Sequence, residues 1–145
     1  MQQLVCCADV ITPNTTEAAL LLGRPYQEQF ETGTALAWAR ELALATGSKV
    51  AITSVPCREA NVVACYADGA SYVVPYQRFN ASYPGCGDLF ASLLLGFLLG
   101  KESFQSAVEL AVSFTSKAIE RTIEAGYETR HGISVSPVLV ELAKR

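Results

Sequence analysis

The stretch "YPGCGDLFASLLLGFLLG" at residues 83–100 places a carboxylate between a glycine-rich loop and an apolar run. Gly85 and Gly87 allow the backbone to turn tightly and to approach a ligand closely. The first amides of the following helix would point outward with the positive end of the helix dipole behind them, which suits a phosphate. Asp88 could then take a proton from a substrate hydroxyl and activate it toward a phosphoryl group. Equally, Asp88 could simply be a favourable residue in the first turn of a helix, preceded by an ordinary loop with a Gly-x-Gly sequence.

Cys86 allows a third interpretation of the same stretch. A thiol at a helix N-terminus has a lowered pKa, as nucleophilic cysteines do. A cysteine hydrolase also needs a base, and the single histidine, His131, lies far along the chain in "TRHGIS", where we expect a loop residue or a modest ligand contact. The stretch has neither the lysine of a Walker-type loop nor the third glycine of a dinucleotide fingerprint. These residues alone therefore allow three interpretations: a helix cap, a thiol site and a phosphate site.

Polar residues also follow two predicted strands. "TPNTTE" puts Asn14 and Glu17 three apart at a strand-to-helix junction, and Thr53 and Ser54 end the strand "KVAITS". Open α/β sheets bind ligands at the carboxyl ends of their strands, where a carboxylate suits a magnesium ion and an asparagine suits a phosphate oxygen. The structural alternative is that Asn14 caps the helix with Glu17 as its capping-box partner. Hydroxyls at strand ends are common, so Thr53 and Ser54 by themselves are weak evidence for a ligand site.

The elements that would position these residues alternate in type. The pattern predicts the order β-α-α-β-β-β-α-α-α, with a hairpin turning at Asp68-Gly69, an apolar helix over 88–99 and a long helix between Ser103 and Gly126. Such an order indicates an α/β layered sheet with helices on its faces. Two parallel strands and a hairpin make a thin sheet for so many apolar helices, so we expect a missing segment or a partner to complete it.

The composition excludes several classes of function. The net charge is −3 and the eleven lysines and arginines are scattered, which argues against nucleic-acid binding. The longest apolar run is too short to span a bilayer, and no basic segment opens the chain, so we expect no membrane association and a cytoplasmic protein. Five cysteines without C-x-x-C spacing indicate neither zinc nor a disulfide framework, and we expect Cys6, Cys7, Cys57 and Cys65 to be buried, reduced thiols.

Taken in order, "ADVITPNTTEAALLLG", "KVAITSV" and "GCGDLFASLLLGFLLG" resemble the ribokinase-like superfamily, and within it the pyridoxal/pyridoxamine (vitamin B6) kinases. The tail "AIERTIEAGYETRHGI" is similar to bacterial pyridoxamine kinases. The resemblance runs from about Ala8 to the end. It implies a three-layer α/β/α sheet of which residues 1–145 form a single partial domain, the C-terminal half. That half supplies the ATP site and the catalytic base, whereas the N-terminal half supplies the first strands, a lid and most of the vitamin pocket.

The resemblance also implies a role for each matching residue. The implied activity is ATP-dependent phosphorylation of the hydroxymethyl group of pyridoxal, pyridoxamine or pyridoxine, with Asp88 as the base. The other implied positions are an anion hole at Gly85, Cys86 and Gly87, a phosphate and Mg²⁺ motif at Asn14 and Glu17 with Glu17 on the metal side, and ATP-side residues Thr12, Thr53 and Ser54.

Two positions depart from the pattern of the vitamin B6 kinases. Cys86 stands where the family usually has threonine, and Pro84 stands where pyridoxamine kinases often have histidine, so we expect lower activity or a side branch. The alternatives are an inactive or nucleotide-binding-only fragment, or a related hydroxymethylpyrimidine or sugar kinase. The expected partners are a small-molecule substrate and either a second copy or the missing N-terminal half.

Overall fold

The computed structural model describes residues 5–144, and the chain divides into two compact units, the first ending at Tyr76 and the second beginning at Gln77. The predicted order of elements is confirmed. The first unit contains β1 (Val10–Ile11), α1 (Thr15–Leu22), α2 (Thr32–Thr46), β2 (Lys49–Pro56), β3 (Asn61–Ala67) and β4 (Ala70–Tyr76). The second contains α3 (Cys86–Leu99), α4 (Phe104–Glu124), a 3₁₀ turn (Thr129–His131) and α5 (Ser136–Leu142).

The sheet of the first unit is mixed and four-stranded, in the order β1-β2-β3-β4. Strand β1 runs parallel to β2, and the pairs β2–β3 and β3–β4 are antiparallel. The β3–β4 hairpin turns at Asp68 and Gly69, whose φ angles of 52° and 83° suit a tight hairpin turn. Among residues 5–144, β1 pairs with β2 alone, so the thin sheet expected from the sequence is what the structure shows.

The core of the first unit lies where α2 packs on the sheet. Trp38 is 1% exposed and meets Phe30 edge-on with ring centroids 5.0 Å apart. Buried side chains of β2, including Val50 and Ile52, fill the sheet side of this core. Burial of these apolar groups holds the carboxyl ends of β1 and β2 side by side.

In the second unit, α3 packs against α4, with Phe90, Leu93 and Leu94 buried on α3. The predicted helix over 88–99 in fact begins two residues earlier, at Cys86. The reason is Gly85, whose left-handed conformation (φ 92°) turns the chain directly into the helix. Cys86 and Gly87 therefore belong to the first helical turn. The predicted Ser103 cap is confirmed, since its hydroxyl accepts the Ser106 N–H at 3.2 Å.

The prediction that four cysteines are buried holds for Cys65, while Cys57 is half-buried. It is wrong for Cys6 and Cys7, which are exposed because they lie in a turn before β1 that the sheet does not cover. Within the described part of the chain, no group of three or more His, Cys, Asp or Glu side chains could hold a metal ion. Nor does any helix in that part combine the length and apolarity needed to cross a membrane.

Candidate functional site

The site that the sequence predicts around Asp88 falls at the N-terminus of α3. No side chain caps this helix end, and its first backbone bond joins the Leu89 N–H to the Gly85 carbonyl at 2.9 Å. The amides of Cys86, Gly87 and Asp88 precede that bond, so the helix itself leaves them unpaired. The positive end of the helix dipole lies at the same place. We refer to residues Gly85–Asp88, where the resemblance predicts an anion hole, as the anion-hole turn.

The carboxylate of Asp88 is exposed in the first turn of α3. Across residues 5–144 it has no hydrogen bond or ion pair, so it does not act as a cap and is available to a ligand. Gly87 is also exposed, and an ideal Cβ built on it would meet no heavy atom within 4 Å. Packing therefore gives no reason for a glycine at this position.

Asp88 lies in a cleft of about 550 Å³. One side of the cleft is formed by Pro84, by the two ends of the anion-hole turn and by the following residues of α3, and the other side is formed by residues of the segment 130–135. The lining residues are Pro84, Gly85, Asp88, Leu89, Ser92, Arg130, His131, Gly132, Ile133 and Val135. The structure thus brings the exposed His131 to the same cleft as Asp88, in keeping with the ligand contact considered from the sequence. Arg130 pairs with Glu128 at 2.7 Å.

Sequence reasoning missed Gly132 and Ile133 as part of the cleft wall. The Ile133 N–H donates to the Pro84 carbonyl at 3.1 Å, which joins this segment to the residue before the anion-hole turn. The glycine in "RHGI" was the available signal, because a glycine in a polar loop often marks a positive φ or a close backbone approach. Spacing alone could not show which part of the chain it approaches.

The thiol of Cys86 does not line the cleft. Burial raises the pKa of this thiol, and a hydrogen bond with the backbone of Tyr83 acts in the opposite direction. The lowered pKa expected from the helix N-terminus is therefore wrong, because the loss of solvation on burial outweighs the hydrogen bond with the Tyr83 backbone. Cys86 contributes its backbone amide to the turn, and nothing in its surroundings activates its sulfur.

In the first unit, Asn14 and Glu17 form a complete capping box at the start of α1. The Asn14 Oδ1 accepts the Glu17 N–H at 2.9 Å, and the Glu17 Oε2 accepts the Asn14 N–H at 2.8 Å. The capping box that the sequence offered as the structural alternative is therefore present. Both side chains are nevertheless exposed, and the box leaves the Glu17 Oε1 and the Asn14 amide group without a role in the cap. Capping and ligand contact are compatible here.

Thr53 lies beside Asn14 through an isolated parallel bridge, and its N–H donates to the Pro13 carbonyl at 2.8 Å. The next residue, Ser54, has a φ of 56° within an irregularity of register between Ile52 and Val55. A left-handed residue other than glycine in a strand costs about 1–2 kcal/mol. The irregularity turns Ser54 out of the sheet into an exposed position. Asn14 and Thr53 thus lie side by side near the carboxyl ends of β1 and β2.

The described residues contain no cluster of three or more metal-ligating side chains, and Glu17 places one exposed carboxylate beside this strand end. A single carboxylate fits Mg²⁺, which is commonly held by one or two carboxylates together with water and substrate phosphates. Thr12 is half-buried just before Pro13. The donor set therefore fits a magnesium ion bound with a nucleotide and does not fit a metal held by protein ligands alone.

Comparison with known proteins places this arrangement in a family. The sequence profile of the phosphomethylpyrimidine kinase family matches residues 1–133. The chain is 28% identical to human pyridoxal kinase over 155 aligned positions, which cover 97% of this chain and 49% of the relative. It is 30% identical to the hydroxymethylpyrimidine/phosphomethylpyrimidine kinase of Haemophilus influenzae, covering 86% of this chain and 48% of that protein.

Solved structures give the same result. A crystal structure of a protein assigned as a phosphomethylpyrimidine kinase from Bacteroides thetaiotaomicron matches with a TM-score of 0.90 at 33% identity, covering 98% of this chain and 50% of that one. A second crystal form of that protein, with pyridoxal, matches with a TM-score of 0.84 at 34% identity. The chain thus spans about half the length of the relatives it matches. The resemblance to the vitamin B6 kinases and the α/β ribokinase-like fold class are confirmed, and the chain belongs to the phosphomethylpyrimidine kinase family.

Proposed function

We propose that this chain is the phosphoryl-transfer half of an ATP-dependent kinase that phosphorylates the hydroxymethyl group of pyridoxal, pyridoxamine or pyridoxine. The observation that carries the proposal is the N-terminus of α3, which lacks a side-chain cap and presents the unpaired carboxylate of Asp88 in a cleft. A phosphoryl group in transfer needs amide donors and a base close together. The anion-hole turn supplies both within four consecutive residues.

In this proposal Asp88 takes the proton of the substrate hydroxyl while the hydroxyl oxygen attacks the γ-phosphorus of ATP. The bond between that phosphorus and the β–γ bridging oxygen breaks, and ADP leaves. The backbone amides of Gly85, Cys86 and Gly87 stabilise the charge on the transferring group. The substitution of cysteine for threonine at position 86 leaves those amides in place, and it removes one hydroxyl. Pro84 cannot donate a backbone hydrogen bond, so the donors of the site begin at Gly85.

The residues at the strand ends of the first unit are proposed to contact the nucleotide. Asn14 would donate its side-chain amide to a phosphate oxygen, and the hydroxyls of Thr12, Thr53 and Ser54 would do the same. Glu17 would hold Mg²⁺ on the carboxylate oxygen that the capping box leaves free. When bound, the ion neutralises charge on the phosphates. The capping box supports these roles because it fixes the side chains of Asn14 and Glu17 in place.

The relatives support a hydroxymethyl-bearing heterocycle as the substrate. One relative is a pyridoxal kinase, and a structural neighbour was solved with pyridoxal. A kinase of hydroxymethylpyrimidine is the second candidate, favoured by the family profile and by the Haemophilus influenzae relative. Both reactions transfer a phosphoryl group to a primary alcohol on an aromatic ring. We expect the partners to be small molecules, with a second copy or an N-terminal half completing the active protein.

A substrate panel tests this proposal. The chain is incubated with Mg-ATP and each of pyridoxal, pyridoxamine, pyridoxine and hydroxymethylpyrimidine, and the monophosphates are separated and quantified. Formation of a vitamin B6 phosphate is expected, and preferential phosphorylation of the pyrimidine would favour the second candidate. If no monophosphate forms while ATP still raises the temperature of thermal unfolding, the chain is a nucleotide-binding half that does not catalyse transfer alone.

A further inference from the structure

The segment from Tyr127 to Ser134 is tied to the residues just before the anion-hole turn. The Ile133 N–H donates to the Pro84 carbonyl at 3.1 Å, and the Tyr83 hydroxyl donates to the Tyr127 carbonyl at 3.4 Å. The two tyrosines are 44 positions apart in the sequence. Two hydrogen bonds thus join a distant loop to the entrance of α3.

Gly132 adds a steric contact to these hydrogen bonds. Its φ of 76° and ψ of −175° lie in a region that is essentially open only to glycine. An ideal Cβ at this position would lie 3.1 Å from the Pro84 carbonyl oxygen, which is closer than ordinary packing allows. A side chain at position 132 would therefore have to push the Pro84 carbonyl aside by a few tenths of an ångström.

The other end of the segment is anchored in the core of the second unit. The Ser134 N–H donates to the Thr122 hydroxyl at 3.0 Å, and that hydroxyl donates to the Ala118 carbonyl at 2.6 Å. Thr122 is 0% exposed. A buried hydroxyl with both a donor and an acceptor partner is held in one orientation. The position of residues 132–134 is consequently set by α4.

We infer that Gly132 and Ile133 are positioning residues for the anion-hole turn, which they orient by holding the Pro84 carbonyl. A peptide group is planar and trans, so fixing the Pro84 carbonyl also fixes the direction of the Gly85 N–H. That peptide leads into the left-handed Gly85 and sets where the first turn of α3 begins. The inference deepens the proposed function and rests on it for its catalytic consequence, but its structural part can be tested separately.

The test compares Gly132→Ala with Gly126→Ala. Gly126 also has a positive φ (70°) and lies at the end of α4, yet a Cβ there would meet no heavy atom within 4 Å. Both variants carry backbone strain, and only the first pushes on Pro84. In ¹H–¹⁵N spectra of the whole chain, the amide resonances of Gly85, Gly87 and Asp88 should shift in Gly132→Ala and stay in place in Gly126→Ala. Unchanged resonances in Gly132→Ala would overturn the inference.

Kinetics at a temperature where both variants are folded give the second measurement. A displaced anion-hole turn should lower kcat about 10- to 100-fold, with the KM for the alcohol substrate changed by less than about twofold. The variant Gly126→Ala should keep the kcat of the unmodified chain. Equal kcat losses in the two variants would show a general effect of strain and contradict a positioning role.

The two proposals fail in distinguishable ways. If the unmodified chain phosphorylates none of the alcohols, the proposed transfer by this chain alone fails, and the amide resonances still decide the positioning role. If Gly132→Ala does not fold, hydrogen exchange of the unmodified chain decides instead. The Ile133 amide should then be protected by its bond to Pro84, and exchange at the rate of an unstructured amide would overturn the inference.

Discussion

Replacing Gly87 by alanine should stabilise the chain and impair phosphoryl transfer at the same time. Gly87 lies in the first turn of α3, where a Cβ would meet no heavy atom within 4 Å. A glycine in a helix costs roughly 0.5–1 kcal/mol relative to alanine. Because no clash offsets this gain, the free energy of unfolding should rise by about that amount. For a chain of this size, the melting temperature should rise by roughly 2–3 °C.

In the proposed mechanism the Gly87 amide faces the transferring phosphoryl group, so a methyl group on the same residue would crowd that group and move it away from the amide donor. Removing one well-placed donor to a developing charge costs about 10²–10³ in rate, and displacing the phosphoryl group from a donor that stays in place should cost up to that amount. We expect a fall of that size in kcat/KM for phosphorylation of pyridoxal. A gain in stability combined with a loss of rate is not what general damage to the fold would produce.

The matched control is Gly96→Ala in the same helix. Gly96 is also exposed, and a Cβ there would meet no heavy atom within 4 Å. Thermal unfolding should show the same stabilisation in both variants, whereas ADP release coupled to product formation should fall in Gly87→Ala alone. If Gly87→Ala kept full kcat/KM, the amides of this turn could not be the phosphate site. If Gly96→Ala lost activity equally, the effect would not be local to the turn.

Three further predictions concern the rest of the chain. Asn14→Ala removes the side-chain half of the capping box and should lower the free energy of unfolding by about 1 kcal/mol in a urea titration; an unchanged midpoint would contradict the cap's contribution. Ser54→Gly relieves a φ of 56° and should raise that free energy by about 1 kcal/mol, and a loss of stability would show that the serine side chain matters more than the strain. Burial raises the pKa of Cys65 from 9.0 to about 12, so the folded chain keeps a proton that the unfolded chain loses. Stability should be fully present below about pH 9 and decline by up to roughly 1.4 kcal/mol per unit as the pH rises toward 12, and Cys65→Ala should remove that slope.

Local signals in the sequence predicted much of the fold. The turn at Asp68-Gly69, the cap at Ser103 and the capping box of Asn14 and Glu17 each depend on residues within a few positions of one another. Such features are encoded by backbone preference and by short-range hydrogen bonds, so one sequence suffices to find them. The layered α/β sheet could be predicted because strands and helices alternate along the chain.

What the sequence could not predict depends on contacts between distant residues. The pKa of Cys86 is governed by burial, which spacing does not reveal, so the expected direction was wrong. The start of α3 depends on the left-handed Gly85, and the wall of the cleft depends on Gly132 lying against Pro84. Each of these requires the packed structure, because the sequence shows a glycine without showing what approaches it.

The role of Asp88 as the base is the central claim, and a single-turnover experiment tests it most directly. The unmodified chain, Asp88→Asn and Asp9→Asn are each mixed with Mg-ATP labelled at the γ-phosphate and with pyridoxal, and labelled pyridoxal phosphate is followed over time. Asp9 is the control because its side chain is also exposed and lies outside the cleft. Transfer should fall about 10²–10⁴-fold in Asp88→Asn and remain unchanged in Asp9→Asn. Transfer at the unmodified rate in Asp88→Asn would contradict the proposed mechanism.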